Sequence, residues 1–287
     1  MLKKSTIQLL RFPFSFFLMP VFWFSLLFVN TIQWDKVLVL FTIIHILLYP
    51  ASNAYNSYMD KDTESIGGVA KPMLPTKQLF YVSFIMDVLA VLWAFWLNVS
   101  VGYCVLVYII FSRLYSYRSI RLKKYPVLGF ITVVLNQGGL IFFTVYKVAS
   151  LQPAVSVPLI GIVIAILLIG GFYPITQVYQ HAADKADGVT TLSMLLGVRG
   201  TFLFCMVMYV LAFLGMWYYF TSIGAIHTFI TIQLFFVPVL VYFFYWMHLV
   251  WKDVNDANFK QTMRMNWIAA TFTNMAFIFV LIQQHIG

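Results

Sequence analysis

The chain of 287 residues holds only nine aspartates and glutamates, and five of them fall in two short stretches: Asp60, Asp62 and Glu64 in one, Asp184 and Asp187 in the other. In the first stretch Asn56, Asp60 and Glu64 recur every fourth residue, which puts their side chains on one face if a helix runs through all three. Oxygen donors so arranged suit a hard cation, and Mg2+ in particular is held by one or two carboxylates together with substrate phosphates. Asp184, helped by Asp187 and the Gln180 carbonyl, supplies a facing half. The two stretches share a pattern, since Asn56-Ser57-Tyr58-Met59-Asp60-Lys61 and Gln180-His181-Ala182-Ala183-Asp184-Lys185 both read amide, three residues, Asp, Lys.

A site for a polyanion also needs basic side chains. Lys61, Lys71 and Lys185 flank the acids, and the loop 117–126 reads Tyr117-Arg118-Ser119-Ile120-Arg121-Leu122-Lys123-Lys124-Tyr125-Pro126. Arginine suits bidentate phosphate recognition and lysine acts as a point charge. Part of this basic character is the ordinary positive charge of loops on the inner side of a membrane.

The elements that must position these groups are helices in lipid. The chain is 62% hydrophobic and 9% charged, against roughly 25% charged in soluble domains. Nine apolar segments are long enough to cross a bilayer, near 12–32, 37–57, 78–98, 99–116, 127–148, 155–180, 200–221, 224–250 and 263–285. The fold expected is therefore all-α and integral to the membrane, one domain over 1–287 with about nine helices bundled around a central cavity. The first segment is too long for a signal-peptide core and lacks a small-residue cleavage site, so it reads as a retained helix. A cytoplasmic N-terminus places 16 of the 18 Lys and Arg residues inside and leaves only Lys36 and Lys147 outside. Both acidic stretches then follow even-numbered helices onto the same cytoplasmic face, and the segments 2–5 and 6–9 form a weak internal repeat. The net charge of +9 follows from topology; no basic stripe marks a nucleic-acid partner. Cys104 and Cys205 lie in apolar segments without metal or disulfide spacing and read as small buried hydrophobes.

The ordered set of motifs resembles the UbiA superfamily of intramembrane aromatic prenyltransferases. Asn56-x-x-x-Asp60-x-x-x-Glu64 is similar to that family's first Asp-rich motif. Gln180-x-x-x-Asp184-x-x-Asp187-Gly188, followed by Thr191-Leu192, is similar to the second. Tyr115-Ser116, Arg121-Leu122-Lys123, Pro126 and Gly129 resemble the basic loop after the fourth helix, and Arg11 before Pro13 matches an arginine common at the first helix, where a snorkelling anchor is the alternative role.

The resemblance implies a cavity capped by the Asp-rich loops, with Mg2+ bridging the two motifs and the diphosphate of a polyprenyl donor. It implies Asn56, Asp60, Glu64, Gln180, Asp184 and Asp187 at the metal, and Arg11, Lys71, Arg121, Lys123 and Lys185 at the diphosphate or acceptor. Asp60, Asp184 and Lys123 would then carry the chemistry. The acceptor implied is a small aromatic or lipid molecule, most often a quinone precursor, and the setting a bacterial inner membrane with the site facing the cytoplasm. The sequence departs from the family at Gln180, where an Asp is usual, and at Glu64. A degenerate site that binds or transports lipid and an allylic-diphosphate cyclase are the competing readings. Asp87, deep in the third segment, is costly in lipid and so a candidate for function or for an unidentified partner. His45 reads as packed rather than catalytic, Pro50 as a kink, and Asn136-Gln137-Gly138-Gly139 as either a close helix contact or a polar spot in the cavity.

Overall fold

The computed structural model describes residues 1–151 and 156–286; residue 155, where the sixth expected segment begins, and residue 287 lie outside them. Among the described residues nine helices are long and apolar enough to cross a membrane: α1 Lys4–Leu26, α2 Trp34–Asp60, α3 Lys77–Leu97, α4 Val99–Ser116, α5 Pro126–Ala149, α6 Leu159–Gln177, α7 Leu192–Ser222, α8 Ile226–Lys252 and α9 Phe259–His285. These are the nine expected segments, shifted at their ends. The largest shifts are at the starts of α1 and α7, each eight residues before the expected position. In α7, Thr191 caps the helix by accepting a hydrogen bond from the Met194 N–H at 3.3 Å, and the chain kinks at Gly197, whose φ of +68° a helix cannot hold. Gly197, Arg199 and Gly200 break the apolar run there and hide the start of the helix from a reading based on apolar runs.

Each helix packs against the next, and α9 closes the ring against α1. α1, α2 and α5 are lined with buried side chains, whereas α3, α7 and α8 present large apolar residues outward, among them Phe84, Leu92, Trp96, Leu214 and Leu234. Apolar burial gives no driving force between helices in lipid, so close packing must do more. Gly138 shows it: a Cβ there would sit 2.7 Å from the Ala165 carbonyl of α6.

Several helices are irregular, two of them at the cavity, at Arg11 and around Asn136-Gln137. α1 breaks at Arg11, which takes a left-handed conformation (φ 49°) just ahead of Pro13. α2 and α5 each contain a wider π-helical stretch, Thr42–Leu48 and Val134–Leu140, a feature that re-aims side chains and recurs at functional sites. Asp87 finds its partner in Arg113 of α4, an ion pair packed against the Tyr55 ring. His45 is packed among Phe22, Phe41 and Tyr49 and hydrogen-bonded to Ser15, away from the cavity wall. Cys205 is buried, Cys104 half-buried, and both are free thiols.

Candidate active site

A cavity of about 180 Å³ lies inside the ring, and both acidic stretches line it. Asn56 and Asp60 come from the last turn of α2. The helix stops there because Lys61 turns left-handed (φ 55°) and its N–H closes on the Ser57 carbonyl at 3.0 Å. The helical face expected to run on to Glu64 therefore does not exist: Glu64 sits exposed in the following loop, off the cavity wall. The acid that takes its place is Asp62. Beyond it the loop folds back through a tight turn in which Ile66 and Val69 exchange backbone hydrogen bonds of 2.9 and 2.8 Å around Gly67-Gly68. Gly68 has a φ of +85°, and a Cβ on Gly67 would lie 2.7 Å from the Phe14 ring, so both positions need glycine.

The second stretch is built by a different device. α6 tightens at Pro174–Gln177, a short helix His181–Ala186 follows, and Gly188 (φ +68°) ends it, letting the Val189 N–H return to the Asp184 carbonyl at 2.8 Å. Gln180 and Asp184 face the cavity. Asp187 does not line it; it is held by Arg118 and Arg121. Lys185 and Lys71 are exposed and stand off the wall. Arg11 does reach the cavity, its guanidinium donating to Asn53 Oδ1 at 3.1 Å and to the Gly67 carbonyl at 3.5 Å.

The basic loop ties the two stretches together. Arg118 donates to the carbonyls of Met59 (2.8 Å) and Asp60 (3.0 Å) and to Asp187 Oδ1 (2.7 Å). Arg121 donates to the Asp187 carbonyl at 2.9 Å, pairs with Asp60 Oδ1 at 3.3 Å and also meets Asp187 Oδ2. Lys123 pairs with Asp60 Oδ2 at 2.5 Å, and Asn56 Nδ2 donates to that oxygen at 2.9 Å and to Ser116 Oγ at 3.0 Å. With its N–H2 occupied, Asn56 keeps its carbonyl oxygen for a ligand.

Charge is uneven across this wall. Asp60, with 3% of its side chain exposed, has two cations. Burial pushes the Asp184 carboxyl up to about 6, with Lys123 acting the other way and Asp60, Asp62 and Asp187 adding repulsion. Asp62 is raised as well, by burial and then by Asp60. On Asp187 burial acts upward, but the bonds and charges of Arg121 and Arg118 outweigh it and hold the carboxyl below its ordinary value. Three partly buried acids crowd a cavity of hard oxygen donors, the condition a divalent cation relieves. Among the described residues no three Asp, Glu, His or Cys side chains converge tightly enough to enclose an ion alone, which suits an ion shared with substrate phosphates.

Asp62, Arg118, Asn53 and Gln177 were not singled out from the sequence for the site. Arg118 carried a signal, being in the basic loop, but its partners are main-chain carbonyls that no motif specifies.

Fold and site define an intramembrane protein whose acidic, oxygen-lined cavity is closed by a basic loop. Its sequence matches the UbiA prenyltransferase family over residues 17–269, and the chain belongs to that family. Solved structures share the fold at low identity. A UbiA homolog from Archaeoglobus fulgidus bound to GPP and Mg2+ superposes with a TM-score of 0.70 at 16% identity, covering 96% of this chain and 99% of that one. The apo UbiA homolog from Aeropyrum pernix K1 gives 0.69 at 14%, covering 93% and 98%. Digeranylgeranylglyceryl phosphate synthase gives 0.62 at 18%, covering 98% of both. Curated proteins offer no significant sequence match.

Proposed function

We propose that this chain transfers a polyprenyl group from an allylic diphosphate to an aromatic acceptor, of the quinone-precursor kind, within the membrane and with Mg2+. The observation that carries the reading is that Asp60, Asp62 and Asp184, from two distant stretches, line one cavity with Lys123 and Arg11. Asn56, Asp60, Asp62, Gln180 and Asp184 are the residues that would hold Mg2+, which supplies positive charge to a leaving diphosphate.

Lys123 and Arg11 add fixed positive charge where negative charge grows as the allylic C–O bond breaks and its electron pair leaves with the diphosphate. The carbocation is attacked by a ring carbon, a C–C bond forms, and the ring loses a proton. Phe14, Phe172, Tyr115, Tyr173 and Tyr179 line the cavity; their faces stabilise a cation by about 0.5–2 kcal/mol each, and the surrounding helices keep bulk water away. With the N-terminus cytoplasmic, this end of the bundle faces the cytoplasm of a bacterial inner membrane. Asp87, the acid deep in the third segment, is neutralised by Arg113, so no unpaired acid there supports a transport reading.

The test uses membranes containing the protein, Mg2+, a labelled polyprenyl diphosphate and a hydroxylated aromatic acceptor. Pyrophosphate release and prenylated product are expected, lost on chelation and restored by Mg2+. Release without an acceptor would mean cyclisation, and no release under any condition would mean a lipid-binding protein with a degenerate site.

A further inference from the structure

Asp184 reaches the cavity from a helix of six residues, His181–Ala186, none of which is buried. A helix that short does not hold its shape unaided. Three side-chain contacts moor it. Gln180 Nε2 donates to the Ser65 carbonyl at 3.4 Å, Asp187 at the far end is held by Arg118 and Arg121, and His181 Nε2 lies 2.8 Å from Ser193 Oγ in the first turn of α7. His181 does not line the cavity, whereas Gln180 beside it and Asp184 one turn on do.

The mooring at His181 reaches deep into α7. Ser193 and Thr201 are fully buried, and their hydroxyls meet at 3.0 Å. Their eight residues of separation would span about 12 Å of straight helix, so the two could not touch if α7 ran on unbroken. The break at Gly197 brings them together. With φ 68° and ψ 169° it folds the first turn back, and the Thr201 hydroxyl lies 3.2 Å from the Ser193 carbonyl and 2.8 Å from the Gly197 carbonyl. That backbone region is open essentially to glycine alone. Nothing lies within 4 Å of where a Gly197 Cβ would sit, so conformation rather than crowding calls for glycine there. Whichever way their protons run, His181, Ser193 and Thr201 form a connected polar chain from the membrane-spanning part of α7 to the start of the Asp184 helix.

We infer that His181 and Ser193 are positioning residues for the half of the metal site supplied by Gln180 and Asp184, and that Gly197 is the glycine that makes their contact possible. The inference rests on the transferase reading above and deepens it. A ligand-bearing helix that can leave its mooring binds metal only in its moored fraction, so losing the contact weakens the apparent affinity by that fraction and leaves the filled site unchanged. Arg118 and Arg121 still hold the opposite end, so the loss is graded rather than complete. It shows as a raised metal requirement with an unchanged rate once metal saturates, a split that neither a general loss of fold nor a lost substrate contact gives.

The experiment titrates the purified protein in detergent with Mn2+ in the presence of inorganic pyrophosphate, read by electron paramagnetic resonance, and measures the Mg2+ dependence of product formation alongside. His181→Phe keeps a ring and removes the contact. It is expected to raise the metal concentration for half-saturation about fivefold in both measurements, the scale of one hydrogen bond, with the rate at saturating Mg2+ within about twofold. Ser193→Ala should do the same, and the double variant no more than either alone, because both remove one contact. His181→Gln, whose amide can reach the Ser193 hydroxyl, should bring half-saturation back to within about twofold of the unsubstituted protein. Unchanged Mn2+ binding in His181→Phe overturns the inference, and so do single effects that multiply in the double variant or a saturated rate that falls with the metal requirement unmoved. If the unsubstituted protein binds no Mn2+ with pyrophosphate and releases none from a prenyl diphosphate, the transferase reading itself fails and this inference falls with it.

Discussion

The two acidic stretches read alike and are built differently. Asp60 ends a long helix, is almost fully buried, and has its charge balanced by Arg121 and Lys123. Asp184 rides on a helix of six residues between two turns, makes no ion pair within 4 Å among the described residues, and is pushed toward the neutral form by burial and by its acidic neighbours. One acid therefore ties the basic loop to the end of α2, while the other is left without a counter-charge. The last acid of each stretch diverges too. Glu64 is lost to an exposed loop, and Asp187 is clamped by Arg118 and Arg121, joining the basic loop to the second stretch.

The largest effects should come from neutralising the two central acids, and they should separate. Asp60→Asn and Asp184→Asn are each expected to cut pyrophosphate release by about a hundredfold or more. Only Asp60→Asn should also lower stability, on the order of 2 kcal/mol, because Arg121 and Lys123 lose a buried counter-charge; thermal unfolding in detergent would show it. If Asp184→Asn destabilises as much, the contrast between the stretches is wrong.

A smaller effect tests the substitution of one acid for another in the first stretch. Asp62→Asn should slow turnover about tenfold, the scale of one weakened charge contact at the metal, whereas Glu64→Gln should change it less than about twofold. Steady-state rates with saturating donor distinguish the two, and the reverse order would restore the helical face through Glu64. Smallest is the amide that stands where the family usually has Asp. Gln180→Ala should raise the Mg2+ concentration for half-maximal rate by about threefold, one neutral oxygen ligand's share; an unchanged metal titration would remove Gln180 from the site.

Much of this was legible from the chain. The nine spans follow from apolar length, because lipid forces every backbone group into its own helix, and the pairing of an amide with an Asp four residues on marked Asn56, Asp60, Gln180 and Asp184 before any coordinates. What periodicity could not give was where α2 stops. Extending Asn56-x-x-x-Asp60 to Glu64 assumed a continuing helix, and the left-handed Lys61 followed by the Gly67-Gly68 turn sends the chain back instead, bringing Asp62 to the wall. Nor could spacing identify Arg118 or Asn53, whose partners lie dozens of residues away in the chain.

The sequence by itself determined the solvent, the number of crossings, the family and the kind of chemistry, since these depend on composition and on contacts within one or two helical turns. Which acids face the cavity, which are held by arginines and which amide carbonyl is left free were decided only when α2, α4, α6 and the basic loop came together. Those outcomes depend on where a few turns place side chains remote in the chain, and a shift of one residue in a turn exchanges one carboxylate for another.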